Sequence, residues 1–182
     1  MIGRDEVLRI VRERVPNPNL VKHMLATEAV MRALAARLGE DPDLWAMTGL
    51  LHDVDLGETG GDPERHGRAA FEMLAALDVP EELRRAVLVH AGHAEPASRL
   101  DRAIRVVDPT TGLVTAAALV TPAKKLADVA VQGLLKRMKE KRFAANVDRD
   151  AIRACEGLGI GLEEFLGLAL GAMQGVADDL GL

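Results

Sequence analysis

Apolar residues recur along most of this chain at intervals of three and four, the spacing of one helix face, and the runs are separated by proline and glycine. Val7, Leu8, Ile10 and Val11 predict a short helix over residues 4 to about 14, with Asp5 and Glu6 at its positive end and Pro16 and Pro18 stopping it. Asn19 is placed to cap a second helix reaching about residue 38, with Leu20, Val21, Met24, Leu25, Ala29, Leu34 and Leu38 on its apolar face. Gly39 closes it. Asp41-Pro42 then supplies a cap and a first-turn proline, and a third helix carries Trp45, Met47, Leu50 and Leu51 down to His52.

Residues 55–62, rich in glycine and acid, read as a loop. Asp62-Pro63 predicts a fourth helix with His66 in its first turn. Pro80-Glu81-Glu82 opens a fifth that ends at His90, and Ala91-Gly92-His93 with Pro96 closes it. Residues 100 to about 118 are strongly apolar, but Asp108-Pro109 falls in their middle, where a proline is expected to kink or break the helix. Beyond Pro122, residues 148–156 and 162–180 read as two closing helices.

Composition narrows the class. The chain of 182 residues has no tyrosine, one tryptophan and three phenylalanines, so its core must come from Leu, Ala, Val and Met, which pack well between helices. An all-α fold follows. The length suits a single domain over 1–182, read as a core over about 19–118 and a helical extension over 122–182. A net charge of −5 argues against a general nucleic-acid binder. Cys155 is the only cysteine, which excludes an intramolecular disulfide, and no apolar run has the length of a signal core or a membrane span. A cytoplasmic protein with no membrane partner is expected, with the oligomeric state left open.

The chemistry concentrates in one region. All five histidines, His23, His52, His66, His90 and His93, lie between positions 23 and 93, each beside a helix end or an apolar face. His52 and Asp53 are adjacent, and neighbours on a helix point about 100° apart, so the two share a cavity only where the helix is ending. Gly57 and Gly60-Gly61 supply that ending. Imidazole with carboxylate and no thiolate suits a divalent transition metal (Fe, Mn, Co, Ni or Zn) and argues against a structural zinc site.

The order of these residues resembles the HD-domain superfamily of metal-dependent phosphohydrolases, in which a histidine, a His-Asp pair and a distant aspartate all sit on helices. The residues carrying it are His23 in Leu20-Val21-Lys22-His23-Met24-Leu25, the pair in Leu50-Leu51-His52-Asp53, and Asp108 in Arg105-Val106-Val107-Asp108. His66 in Arg65-His66-Gly67 and His90 in Val87-Leu88-Val89-His90 are similar to the two extra histidines of a binuclear branch. The resemblance implies an HD-like helical bundle holding one or two ions. His23, His52, Asp53 and Asp108 would hold one, and Asp53 would bridge to a second held by His66 and His90. It also implies a phosphohydrolase in which Asp53, His66 and His90 take part in catalysis through a cation-activated water. The substrate would be a small phosphorylated molecule such as a nucleotide, and not nucleic acid, since the acidic loop 55–62 disfavours polyanions. Two alternatives stay open: a di-iron oxygenase of the same superfamily, and a non-catalytic module whose helices the metal holds together.

Phosphoryl oxygens also need cations. Lys124 is the favoured residue, because cations just after Pro122 sit at a helix start and lack an anionic partner there. Lys125, Lys22, Arg65 and Arg68 are the others, the two arginines also reading as solvent-facing residues of the fourth helix. The run from Lys136 to Arg142 reads as a solvated face. Asp55 has three readings, as a general acid, a partner of His52 or a plain loop residue, and His93 either supports the site or faces the substrate, or else lies in a surface loop.

Overall fold

The computed structural model describes residues 2–182, and all regular structure among them is helical. The helices are α1 (Arg4–Arg14), α2 (Pro18–Leu38), α3 (Pro42–Leu51), α4 (Leu56–Thr59), α5 (Arg68–Leu74), α6 (Glu81–His90), α7 (Arg99–Leu119), α8 (Val131–Arg137), α9 (Arg149–Arg153), α10 (Leu162–Gln174) and α11 (Ala177–Leu180). Short 3₁₀ turns occupy Leu126–Asp128 and Ala154–Leu158. None of the helices is long and apolar enough to cross a membrane.

Several boundaries depart from the pattern reading, each for a local reason. Asn17, not Asn19, caps α2: Pro18 takes the first helical position and pushes its predecessor out of helical geometry, and the Asn17 side chain accepts from the Asn19 amide at 3.0 Å. The glycine-rich loop contains the single turn of α4. Asp62 accepts from the Glu64 amide in a tight turn instead of starting a helix, and Gly67 at φ 77° interrupts helical backbone. α5 therefore begins only at Arg68, leaving His66 ahead of it.

Pro109 does not break α7. One backbone donor is lost, but the helix continues from Arg99 to Leu119, and the Thr110 and Thr111 hydroxyls donate to the Val106 and Asp108 carbonyls at 2.7 and 2.9 Å. The closing segments are shorter than the pattern suggests. α9 passes into a 3₁₀ turn, α10 ends at Gln174 ahead of the small α11, and α8 was masked by its flanking charges.

The core lies between α2, α3, α6 and α7, where Met24, Met31, Leu34, Leu50, Leu51, Ile104 and Leu113 are fully buried. After Pro122 the chain returns over this bundle, and α10 lays Phe165, Leu166, Ala169 and Met173 against α2 and α7. Cys155 is buried in the same core, and burial pushes its thiol up to about 11, so it is an unreactive packing group.

The tightest approach is between α2 and α3. A Cβ on Gly49 would stand 2.8 Å from both the Thr27 carbonyl oxygen and the Glu28 amide nitrogen, so only glycine lets the backbones meet this closely. That approach seats His23 of α2 against His52 at the end of α3. Gly49→Ala should therefore destabilise by about 1–3 kcal/mol through overpacking, although alanine favours helix by up to ~1 kcal/mol. Chemical denaturation measures this, and a stabilised variant would disprove the tight approach.

Candidate metal centre

α3 ends at Leu51, and His52 and Asp53 follow in the turn that leaves it, so two neighbours in sequence turn toward one point. His23 reaches that point from the second turn of α2, Asp108 from the middle of α7, His90 from the last residue of α6, and His66 from the turn before α5. The His23 and His52 Nε2 atoms lie 3.2 Å apart. Asp53 Oδ2 is 3.3 Å from His52 Nε2 and 3.6 Å from His23 Nε2, and Asp108 Oδ1 is 3.0 Å from His23 Nε2. The other oxygen, Asp53 Oδ1, faces His66 Nε2 at 3.5 Å and His90 Nε2 at 3.4 Å, while Asp108 Oδ2 is 3.6 Å from His90 Nε2.

These spacings are the edges of a ligand shell. Donors about 2.1 Å from a common ion stand roughly 3.0 Å apart at octahedral angles and roughly 3.4 Å apart at tetrahedral ones. Two groups could hold an ion: His23, His52 and Asp108, and His52, Asp53 and His90. His66 adds a fourth imidazole on the Asp53 Oδ1 side.

Hydrogen bonds behind the rings fix which nitrogen points inward. His52 Nδ1 donates to the Gly49 carbonyl at 2.8 Å, and His66 Nδ1 donates to Asp55 Oδ1 at 2.8 Å. The single Thr111 hydroxyl proton goes to the Asp108 carbonyl, so Thr111 accepts from His23 Nδ1 at 3.0 Å. With Nδ1 carrying the hydrogen, a neutral ring turns a bare Nε2 lone pair to the centre. Among the described residues His90 Nδ1 has no hydrogen-bond partner, although it is buried. Two bare nitrogens 3.2 Å apart repel one another, and a cation or a proton between them removes the conflict.

Without metal, protons answer that demand. Burial alone would depress His52, but the adjacent Asp53 carboxylate outweighs it and holds the imidazole up at about 9. Burial would raise Asp53, and the His52 charge instead holds it far below the usual carboxylate range. Burial and the charge on His52 push His90 down to about 4, so it is neutral. Asp108 is also held low: burial opposes this, but hydrogen bonding from His23 and the charge of His52 prevail.

The centre is reached from one side. His52 is fully buried, whereas the Asp108 and His23 side chains are 32 and 23% exposed. They line a cleft of about 380 Å³ with His90, Arg105, Asn146 and Asp148. A second cleft of about 590 Å³, lined by Asn19, Lys22, Thr115 and Leu119 among others, adjoins it along His23 and Gly112. Arg105 and Lys22 make no ion pair among the described residues, and each looks into one of these clefts.

Other expected residues lie elsewhere. Lys124 sits exposed in the turn beyond α7 and lines neither cleft, because α7 runs unbroken past Pro109 and carries the chain roughly 16 Å along its axis between Asp108 and Leu119. Lys125 is exposed in the same turn, and Arg65 pairs with Glu58 at 3.5 Å. The basic run turns on itself, with Lys136 and Arg137 beside Glu140. Asp55 is buried against His66 instead of His52, so the loop 55–62 does not present it to the cleft. His93 donates to the His66 carbonyl at 2.8 Å and supports the site from outside. Arg105 and Thr111 went unnoticed in the pattern, although each stands three positions from Asp108 on the same helical face.

A helical bundle whose imidazoles and carboxylates converge in this way defines a metal-centre protein of the His-Asp type. Residues 20–113, just over half of the chain, match the HD domain family, and the chain belongs to it. The family lies within a superfamily of metal-dependent phosphohydrolases. Ribonuclease Y of Sulfurovum sp. (strain NBC37-1) is similar at 25% identity over 135 residues, which span 72% of this chain but only 26% of that protein. No solved structure matches the chain.

Two outcomes follow for the centre. His52→Ala should lower bound metal below one equivalent by plasma mass spectrometry, and full retention of metal would contradict the ligand set. Since His52 holds a proton up to about 9, a cation must displace it, so metal affinity should rise from pH 6 to pH 8 by up to about tenfold per unit for each proton released. Calorimetry in buffers of different ionisation enthalpy counts those protons, and a count of zero would show the ring already bare.

Proposed function

We propose that this protein is a metal-dependent phosphohydrolase acting on a compact phosphate ester, a nucleotide or another small phosphorylated molecule. The reading rests chiefly on the inward-facing Nε2 atoms of His23, His52 and His66, fixed by hydrogen bonds behind each ring and gathered around the two oxygens of Asp53. In it His23, His52, Asp53 and Asp108 would hold one cation, and His66 and His90 would hold a second that shares Asp53 with the first. A carboxylate can serve two ions because its oxygens are separate donors, which an imidazole cannot match. When bound, such a cation pair lowers the pKa of water and offsets charge on the phosphoryl oxygens.

The chain's own residues do the rest. Arg105, one helical turn before Asp108 and without an acidic partner among the described residues, is positioned at the cleft to hold nonbridging oxygens. Lys22 is placed to do so from the adjoining cleft. Lys124 has no part in this arrangement. A cleft of about 380 Å³ suits a small ester better than a polymer, and the net charge of −5 points the same way. The name of the similar ribonuclease concerns that protein, of which this chain matches about a quarter, so RNA is the rival substrate.

The test is a screen of phosphorylated metabolites and a single-stranded oligonucleotide with metal-free protein reloaded with Mn²⁺ under nitrogen. Release of phosphate from a small ester supports the proposal. Rapid cleavage of the oligonucleotide would replace the substrate class, and a strict need for iron and O₂ would replace the reaction. With a substrate in hand, Arg105→Ala should lower kcat/KM by about tenfold to a hundredfold, the loss of one charge-assisted contact worth ~1.5–3 kcal/mol, while bound metal stays at the parent level.

A further inference from the structure

Asp55 stands two residues beyond Asp53 and is 3% exposed, yet among the described residues no lysine or arginine pairs with it. Both of its oxygens are engaged: Oδ1 accepts from His66 Nδ1 at 2.8 Å, and Oδ2 accepts from the Gly67 and Ala70 amides at 2.7 and 3.0 Å. Three donors thus converge on it, and only a group that accepts through both oxygens satisfies them all. Burial would raise the Asp55 carboxyl, but the bond from His66 holds it low. On His66, burial is in turn outweighed by Asp55. Helix capping by itself would not require a buried charge, since an asparagine oxygen could accept from the same two amides at less desolvation cost.

The surroundings leave His66 little freedom. Its carbonyl accepts from His93 Nε2 at 2.8 Å. Gly67 behind it is at φ 77°, and a Cβ there would stand 2.3 Å from the Ala91 Cβ. The backbone is therefore held in place, and the ring's proton is the variable that remains.

We propose that Asp55 is the positioning residue of the second cation site: by accepting the Nδ1 hydrogen it keeps His66 in the tautomer whose bare Nε2 faces Asp53 Oδ1. The inference rests on the two-cation reading above. One short turn then carries both the carboxylate shared between the cations and the carboxylate that readies the fourth imidazole. Replacing Asp55 by asparagine isolates this role. With its oxygen kept on the Gly67 and Ala70 amides, its NH₂ faces His66 Nδ1, which must then accept, and the hydrogen moves to Nε2. The opposite orientation sets the NH₂ against two backbone N–H groups.

The experiment uses the full chain, parent and Asp55→Asn, with ¹⁵N-labelled histidine. In metal-free protein at alkaline pH, the parent should carry the His66 hydrogen on Nδ1 and the variant on Nε2. In titrations with Zn²⁺ alone the parent should take two equivalents. The variant should keep the first at parental affinity and bind the second roughly ten- to a hundredfold more weakly. A purely structural role for Asp55 would lower the melting temperature without moving the hydrogen. An unchanged tautomer in the variant together with an unchanged second equivalent overturns the proposal, as does an Nε2 hydrogen in the parent, a measurement that stands even if the variant does not fold. A parent that takes only one equivalent overturns the two-cation reading itself, and the tautomer switch then tells that failure apart from a failure of Asp55.

Discussion

Two imidazole nitrogens, each stripped of its hydrogen by a bond on the far side of the ring, face one another at 3.2 Å near the centre of this protein. Lone pairs do not attract, and the two carboxylates beside them do not remove the conflict. The arrangement is stable only with positive charge in its midst, carried by protons or by a metal. Folding therefore has to pay for a concentration of like donors, and it does so with a large apolar core rich in leucine, valine, alanine and methionine. Several kcal/mol of desolvation are tolerable in such a core because the charged groups are mutually paired.

The helices serve this single constraint in different ways. α3 contributes by stopping, so that two adjacent residues turn inward together. α2 contributes by approach, through a glycine on its neighbour that admits backbone against backbone. α6 contributes its final residue, and α7 contributes length, bringing a mid-helix aspartate to the opening. The extension after Pro122 covers the outer faces of α2 and α7 and adds Asn146 and Asp148 to the rim of the cleft.

Much of this was legible in the chain. Helical periodicity, prolines at helix starts and the absence of tyrosine declare an all-α protein, and His23, His52, Asp53, His66, His90 and Asp108 stand out because each interrupts or ends an apolar face. The parts that escaped depend on how the backbone folds back on itself. Nothing in Asp55 announces that its partner is His66, because the turn over residues 63–67 must close first and bury the carboxylate that the sequence places in an acidic loop. Lys124 drew attention as a cation at an expected helix start after Pro122, but it lies in an exposed turn that the unbroken α7 carries away from the centre. Arg105 was hidden by its exposure, since a solvent-side arginine on a long helix looks like any other until the cleft beside Asp108 is seen.

That unbroken helix couples three tasks. Arg105, Asp108 and Thr111 lie at successive intervals of three on one rigid rod, so the group facing the cleft, the acidic donor and the hydroxyl behind His23 share a single rotational setting. Inserting one residue upstream would swing all three by about 100° together. Divergent versions of this chain are thus free to vary their turns and their outer helices, but the phase of α7 is a quantity they must inherit whole.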